Sequence, residues 1–168
     1  MTKLDQTLFR FLLLFLGGWF FTTVVVDFVA VPNVFRTVSN LQEAGNVGIK
    51  VFTTYNILEL VFGIGICTFL WKLPVQKKKL LWVSRVLSII LVGLILFYIL
   101  HLNPNIIKYA GEMHEIGIGN EGYEAIETKH RFYHHLYVKL DGFKLISLLF
   151  LQVVSVVSWR KNETGEEL

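Results

Sequence analysis

Leu87-Ser88-Ile89-Ile90-Leu91-Val92-Gly93-Leu94-Ile95-Leu96-Phe97-Tyr98-Ile99-Leu100 is a stretch of 14 residues without a charge. It is the middle of an apolar run over 80–102, whose one formal charge is Arg85 near its start. A bilayer core is crossed by about 20 apolar residues in a helix. Inside lipid the backbone must satisfy its own N–H and C=O groups, which a helix does within one segment. The Val and Ile content would favour strands in water. Here the length of the run decides for helix.

Three further runs have the same character. The first covers 8–31, with Arg10 near its start and Asp27 near its end. The second covers 51–71 and contains Glu59. The last covers 136–159, with Lys139, Asp141 and Lys144 in its first half. The whole chain of 168 residues is 54% hydrophobic and 17% charged, against about 25% charged residues in soluble domains. This predicts a single all-α domain, a polytopic four-helix transmembrane bundle. The first run is too long for a secretory h-region and lacks a small-residue cleavage site after it, so it is expected to be retained. The single cysteine, Cys67, excludes an intrachain disulfide and a cysteine-based zinc site.

The segment 72–79 carries Lys72, Lys77, Lys78 and Lys79 and no acid. Short loops rich in Lys and Arg stay in the cytoplasm. Four spans then put both termini on that side, in agreement with Lys3, Arg10, Arg160 and Lys161. Trp71, Trp82 and Trp159 fall near the same boundary, where indole rings favour the headgroup region. The basic balance is therefore a topology signal and gives no indication of nucleic-acid binding. In a bacterial cell the membrane would be the cytoplasmic, or inner, one.

Two segments are expected to face outward. One is 32–50, with a short interfacial helix over 37–44. The other is 103–135, with Glu112, Glu115, Glu121, Glu124 and Glu127. There Gly111, Gly117, Gly119 and Gly122 predict a loop, followed by helix from Tyr123 that runs into the fourth span. The tail 162–168 is short and polar. No internal repeat stands out.

Ionisable groups in a bilayer are costly, so their depth is informative. Counting from the outer boundary at about 1.5 Å per residue, Asp27, Glu59, Asp141 and Lys144 occupy one slab, together with Tyr55, Asn56 and Tyr98. This predicts a polar pocket that opens outward, with Glu59 paired to Lys144 and Asp27 paired to Lys139 or Lys144. Polar groups that glue helices together would produce the same pattern. Arg85, near the inner end, can snorkel to the surface. Gly17, Gly18, Gly63 and Gly65 are expected at close helix contacts. Gly63-Ile64-Gly65 lacks the strand and third glycine of a dinucleotide fingerprint.

All five histidines, His101, His114, His130, His134 and His135, fall on the outer side. His130 and His134 share a helical face. Imidazoles with nearby carboxylates suit a metal ion, and His101 with His134 or His135 would suit haem iron. Titration near neutral pH is another use. Interfacial histidines bonded to loop carbonyls or headgroups are the plain alternative. His130-Arg131-Phe132-Tyr133-His134 lacks the glutamate of a metalloprotease helix. Neither a Ser-His-Asp nor a Cys-His arrangement is present.

Several segments together carry a family likeness: Gly17-Gly18-Trp19, then Asp27-Phe28-Val29-Ala30-Val31-Pro32-Asn33-Val34-Phe35, then Glu43-Ala44-Gly45, Asn103-Pro104 and Phe132-Tyr133-His134-His135-Leu136-Tyr137. In order and spacing over nearly the whole chain they resemble the four-helix membrane domain related to eukaryotic transmembrane protein 205, which has bacterial relatives of unknown function. The likeness implies that Pro32, Phe35 and either His134 or His135 occupy typical family positions. It brings no activity with it. The expected role is binding or assembly without catalysis, with the lipid bilayer as surroundings and a second copy or another membrane protein as partner. The alternatives are a metal- or haem-binding protein using the histidines, and a small transporter or proton-coupled carrier.

Overall fold

The structure, a computed structural model, describes residues 2–73 and 78–164. Half of the lysine-rich segment 72–79, residues 74–77, lies outside the described residues. So do the end of the tail and the side chains of Trp159, Arg160 and Lys161.

Helix α1 spans Lys3–Val25. Thr2 starts it through a capping box: its hydroxyl accepts from the Asp5 N–H, and the Asp5 carboxylate accepts from the Thr2 N–H. A π turn, Val26–Ala30, joins α1 to a short helix α2, Val31–Thr37. Pro32 at the start of α2 explains the change of pitch. Proline has no N–H to give one turn back, and its ring crowds that turn. A wider turn accommodates both effects.

Helix α3 spans Leu41–Lys72. Asn40 begins it, with its side-chain oxygen accepting from the backbone N–H groups of Gln42 and Glu43. Helix α4, Lys78–Phe97, passes through a second π turn, Tyr98–Leu102, into α5, Asn103–Ile116. Pro104 stands where Pro32 stands in the first case. Helix α6, Tyr123–Thr164, has 42 residues and extends about 63 Å at the usual helical rise. Among the described residues, four helices are long and apolar enough to cross a membrane.

The two segments expected to face outward are helical over more of their length than the sequence suggested. The break in the first falls at 38–40, inside the short helix expected over 37–44, because Asn40 is the stronger cap. In the second, helix continues through Gly111 to Ile116. The turn begins only at Gly117, where φ is +76°, and continues with Gly119 and Gly122 at +86° and +88°. Only glycine enters that region at low cost. Gly111 has open space around it and no such backbone demand.

The helices form a ring. α1 packs on α3 and α6, and α4 packs on the same two. α1 therefore faces α4 across one diagonal, and α3 faces α6 across the other. The half of the ring nearer the N-terminus of α1 is filled by Leu12, Leu16, Ile66, Leu70, Leu148 and Leu151, all essentially without exposure. The outside is apolar as well: Leu14, Phe21, Ile64 and Ile146 are more than half exposed. At most 33% of any span window is buried inside the protein. Lipid must cover the rest, since so much contiguous apolar surface is not stable in water.

Arg85 does more than snorkel. Its Nε donates to the Leu70 carbonyl at 3.1 Å, and its guanidinium lies 5.0 Å from the Trp71 ring. It therefore satisfies a carbonyl left open at the end of α3. Cys67 is half-buried beside Ser88, with 3.4 Å between Sγ and Oγ.

Gly17, Gly18, Gly63 and Gly65 lie at helix contacts. A Cβ at Gly63 would come within 2.9 Å of Val92 Cγ2, and one at Gly65 would strike the Phe15 ring. That ring is held by edge contacts to Phe62 and Phe69. Gly65→Ala should therefore destabilise the bundle by about 1–3 kcal/mol, the usual cost of overpacking. Gly93→Ala, which meets open space, should not. Thermal unfolding of the two variants in one detergent checks this difference.

Candidate functional site

Glu59 is on α3, and a carboxylate there has no water to solvate it, because the residue has no exposed surface. Its Oε1 is instead saturated by protein donors. Lys144 Nζ on α6 approaches to 2.5 Å, Trp19 Nε1 on α1 donates at 2.9 Å, and Thr23 Oγ1 donates at 3.5 Å. Lys144 is equally buried and pairs with a second carboxylate, Asp141, one turn earlier on its own helix. Its ammonium also lies 5.7 Å from the Tyr55 ring and 5.6 Å from the Tyr98 ring. Aromatic faces attract a desolvated cation. The lysine thus reaches across the diagonal of the bundle, from α6 to α3.

The third carboxyl, Asp27, comes from the first π turn. It is half-buried, whereas Glu59, Asp141 and Lys144 are buried. Its carboxyl lies beside that of Asp141. The sequence predicted a lysine partner for Asp27, either Lys139 or Lys144. Lys139 is exposed and points away from the cluster, because it sits two positions before Asp141, on the opposite side of a helix with a 3.6-residue period. Two neighbouring carboxyls repel each other when both are ionised.

Hydroxyls and amides complete the surroundings. Tyr55 bonds to Thr23 at 2.6 Å and to Thr22 at 3.2 Å. Tyr137 donates to Asn56 Oδ1 at 3.1 Å and stacks on Tyr98 with centroids 4.5 Å apart. Among the described residues, four buried polar atoms have no hydrogen-bond partner: Glu59 Oε2, Asn56 Nδ2, the Tyr98 hydroxyl and Asp141 Oδ1, the last of which is in the ion pair with Lys144. Native proteins leave few such atoms, so four around one ionic centre call for an account.

The structure therefore brings Asp27, Tyr55, Asn56, Glu59, Tyr98, Asp141 and Lys144 into one cluster. The cluster is closed where the sequence suggested an open pocket, with Asp27 as its most accessible acid. Sequence reasoning missed Trp19, Thr22, Thr23 and Tyr137. The signal for Trp19 was an indole deep in a span, whose N–H needs an acceptor. The signal for Tyr137 was its position four residues before Asp141, on the same helical face.

The histidines are not part of the cluster. His101 is exposed at the second π turn, stacked on Phe97 at 5.2 Å. His130 and His134 lie parallel along α6 with centroids 6.3 Å apart, and His134 and His135 are 6.4 Å apart. His114 is on the exposed side of α5. Among the described residues no three His, Cys, Asp or Glu side chains are grouped to hold a metal ion. Pro32 and Phe35 act locally: Pro32 shapes the π turn, and the Phe35 ring lies against Gly48.

Breaking a buried ion pair from one side strands a charge and costs about 3–5 kcal/mol, whereas replacing both partners with neutral groups is often harmless. Lys144→Met alone should therefore lower stability by about that amount. Glu59→Gln added to it should restore much of the loss and leave a folded protein. Unfolding midpoints of the two single variants and the double variant, compared as a mutant cycle, test the coupling.

No protein-family model matches this chain, and neither a curated protein nor a solved structure does. What the cluster does must follow from its chemistry.

Proposed function

We propose that this is an integral membrane protein whose role is binding rather than catalysis, and that its buried cluster binds protons. The observation that carries this reading is a charge count: three carboxyls, Asp27, Glu59 and Asp141, face one ammonium, Lys144. An unpaired charge within a bilayer costs about 2.5–3.5 kcal/mol on insertion scales. The cheapest neutral arrangement keeps Glu59 paired with Lys144 and places protons on the Asp27–Asp141 pair. Asp27, half-buried on the π turn, is the entry point. No side chain in the cluster has the partners of an activated nucleophile.

Both termini lie in the cytoplasm in this reading, and the α2–α3 and α5–α6 ends face outward. The lysines of 72–79 and the Arg85 cap on α3 support that orientation. In a bacterial cell the membrane is the inner one. The likeness to the transmembrane protein 205 group fits such a role without supplying it. A small proton-coupled carrier is the second reading, and one observation favours it. The first and third spans are each interrupted by a π turn and a proline beside the cluster, and broken helices are where carriers place their sites.

Two measurements test this. In proteoliposomes containing a pH dye, a pH jump should show rapid proton uptake by the protein that Asp27→Asn abolishes while the protein stays folded. Equal uptake by both proteins would rule out the cluster as the proton site. For orientation, cysteine variants at Ile118, which is 87% exposed at the outer turn, and at Leu168, in a background lacking Cys67, should differ. A membrane-impermeant maleimide added to intact cells should label the first and spare the second.

A further inference from the structure

The two π turns, Val26–Ala30 and Tyr98–Leu102, begin 72 residues apart. At the same register each is followed by Pro-Asn, two apolar residues and a base, ending in Arg36 and Lys108 respectively. The buried faces of the preceding helices coincide under the same shift. Leu12, Leu16, Trp19 and Thr23 on α1 fall on Ser84, Ser88, Leu91 and Ile95 on α4, and all eight are buried. The second and fourth spans align under a shift of 82 residues. Tyr55-Asn56-Ile57-Leu58-Glu59 then falls on Tyr137-Val138-Lys139-Leu140-Asp141, sharing the tyrosine, the leucine and the acid. Beyond them, buried Ile66 falls on buried Leu148.

The difference between the two shifts has one location. α5 has 14 residues where α2 has 7, and the turn 117–122 is longer than the turn 38–40. This insertion between the halves of the second copy hides the repeat from any search at a single period. The ring of helices obeys the same relation. Half a turn about an axis along the bundle carries α1 onto α4 and α3 onto α6, and every neighbouring pair onto another neighbouring pair.

We infer that the chain is a tandem duplication of one two-helix hairpin, and that Glu59 and Asp141 are the same position in its two copies, forming a repeat-interface site for one monovalent cation that Lys144 fills from within the chain. Membrane proteins built from repeats place their binding sites where the repeats meet. Lys144 contacts the acid one turn before it and the acid on the opposite helix. Phe62, half-buried on α3, is its counterpart and stands in the same relation to Glu59. A lysine there would meet the same two acids in reverse order. Glu59 Oε2, fully buried and without a partner, is acceptor capacity that the lysine leaves unused. None of this depends on whether the cluster exchanges protons.

The test uses thermal unfolding of the full chain in detergent. Lys144→Phe should lower Tm, and adding Phe62→Lys should recover most of the loss. As a milder pair, Glu59→Asp combined with Asp141→Glu should lie closer to the parent than the sum of the single effects. Recovery in either pair supports the equivalence of the two positions, and failure of both overturns it. The cation site has its own arm. n-Butylammonium should raise the Tm of Lys144→Ala but leave the parent unmoved. No shift, or the same shift in both, overturns the site.

Discussion

The ammonium of Lys144, held between Glu59 and Asp141, is the constraint around which the bundle is arranged. It crosses a diagonal of the ring, joining two helices that also meet through Tyr137, which reaches Asn56 and Phe52. A charge in that position is tolerable only if its partners arrive at the same depth and orientation. The pair therefore fixes the rotation of α3 and α6 about their own axes and their relative height. The remaining contacts follow: Trp19 is turned inward to donate to Glu59, and Tyr55 and Tyr98 flank the ammonium. An apolar centre of similar volume would hold four helices together at least as well. The cluster is thus better explained by specificity of packing, or by the ion it handles, than by stability.

Proline and the ionic cluster meet in the first π turn. A regular helix through Val26–Ala30 would advance each residue by about 100 degrees. The wider turn changes that phase and delivers Asp27 to the face that meets Asp141 on α6. The second π turn performs the same service for Tyr98, whose ring covers Lys144 and whose hydroxyl lacks a partner. Both distortions precede a proline, and both lie beside the ionic centre. That agrees with the frequent occurrence of π turns at functional sites.

Much of this was legible in the sequence, for identifiable reasons. The spans were, because length and apolarity are all a bilayer asks of a helix. The Glu59–Lys144 pairing was, because a residue as expensive as a buried lysine must find an acid at its own depth. The Asp27–Asp141 contact was not. Like charges repel when both are ionised, so residue depth alone gives no reason to bring the two together. The helical outer segments were also obscured. Their polar residues suggest loops when read for membrane depth, and Gly111 looks like a breaker until the turn glycines at 117, 119 and 122 are seen to carry the positive φ values. The repeat was masked by one insertion that changes the period from the first hairpin half to the second.

The two ends of the bundle differ in a way that bears on binding against transport. Toward the α2–α3 and α5–α6 ends, Asp27 is half-buried and adjoins the buried acids. Toward the other end, Leu16, Ile66, Leu70, Leu91, Leu148 and Leu151 close the centre with almost no exposure. Beyond Glu59 on α3 and Lys144 on α6, the buried polar groups reaching that end are hydroxyls, Ser84, Ser88, Ser147 and Ser155, with no further acid or base among them. In the proposed reading, a proton arriving at Asp27 has Asp141 as its neighbour. Beyond it, among the described residues, the buried leucines fill the centre. In this conformation the more exposed acid lies at one end of the cluster and the leucines at the other, an arrangement that suits the proposed proton binding. A carrier would additionally have to part the leucines at the other end, and the two π turns are where its helices could bend to do so.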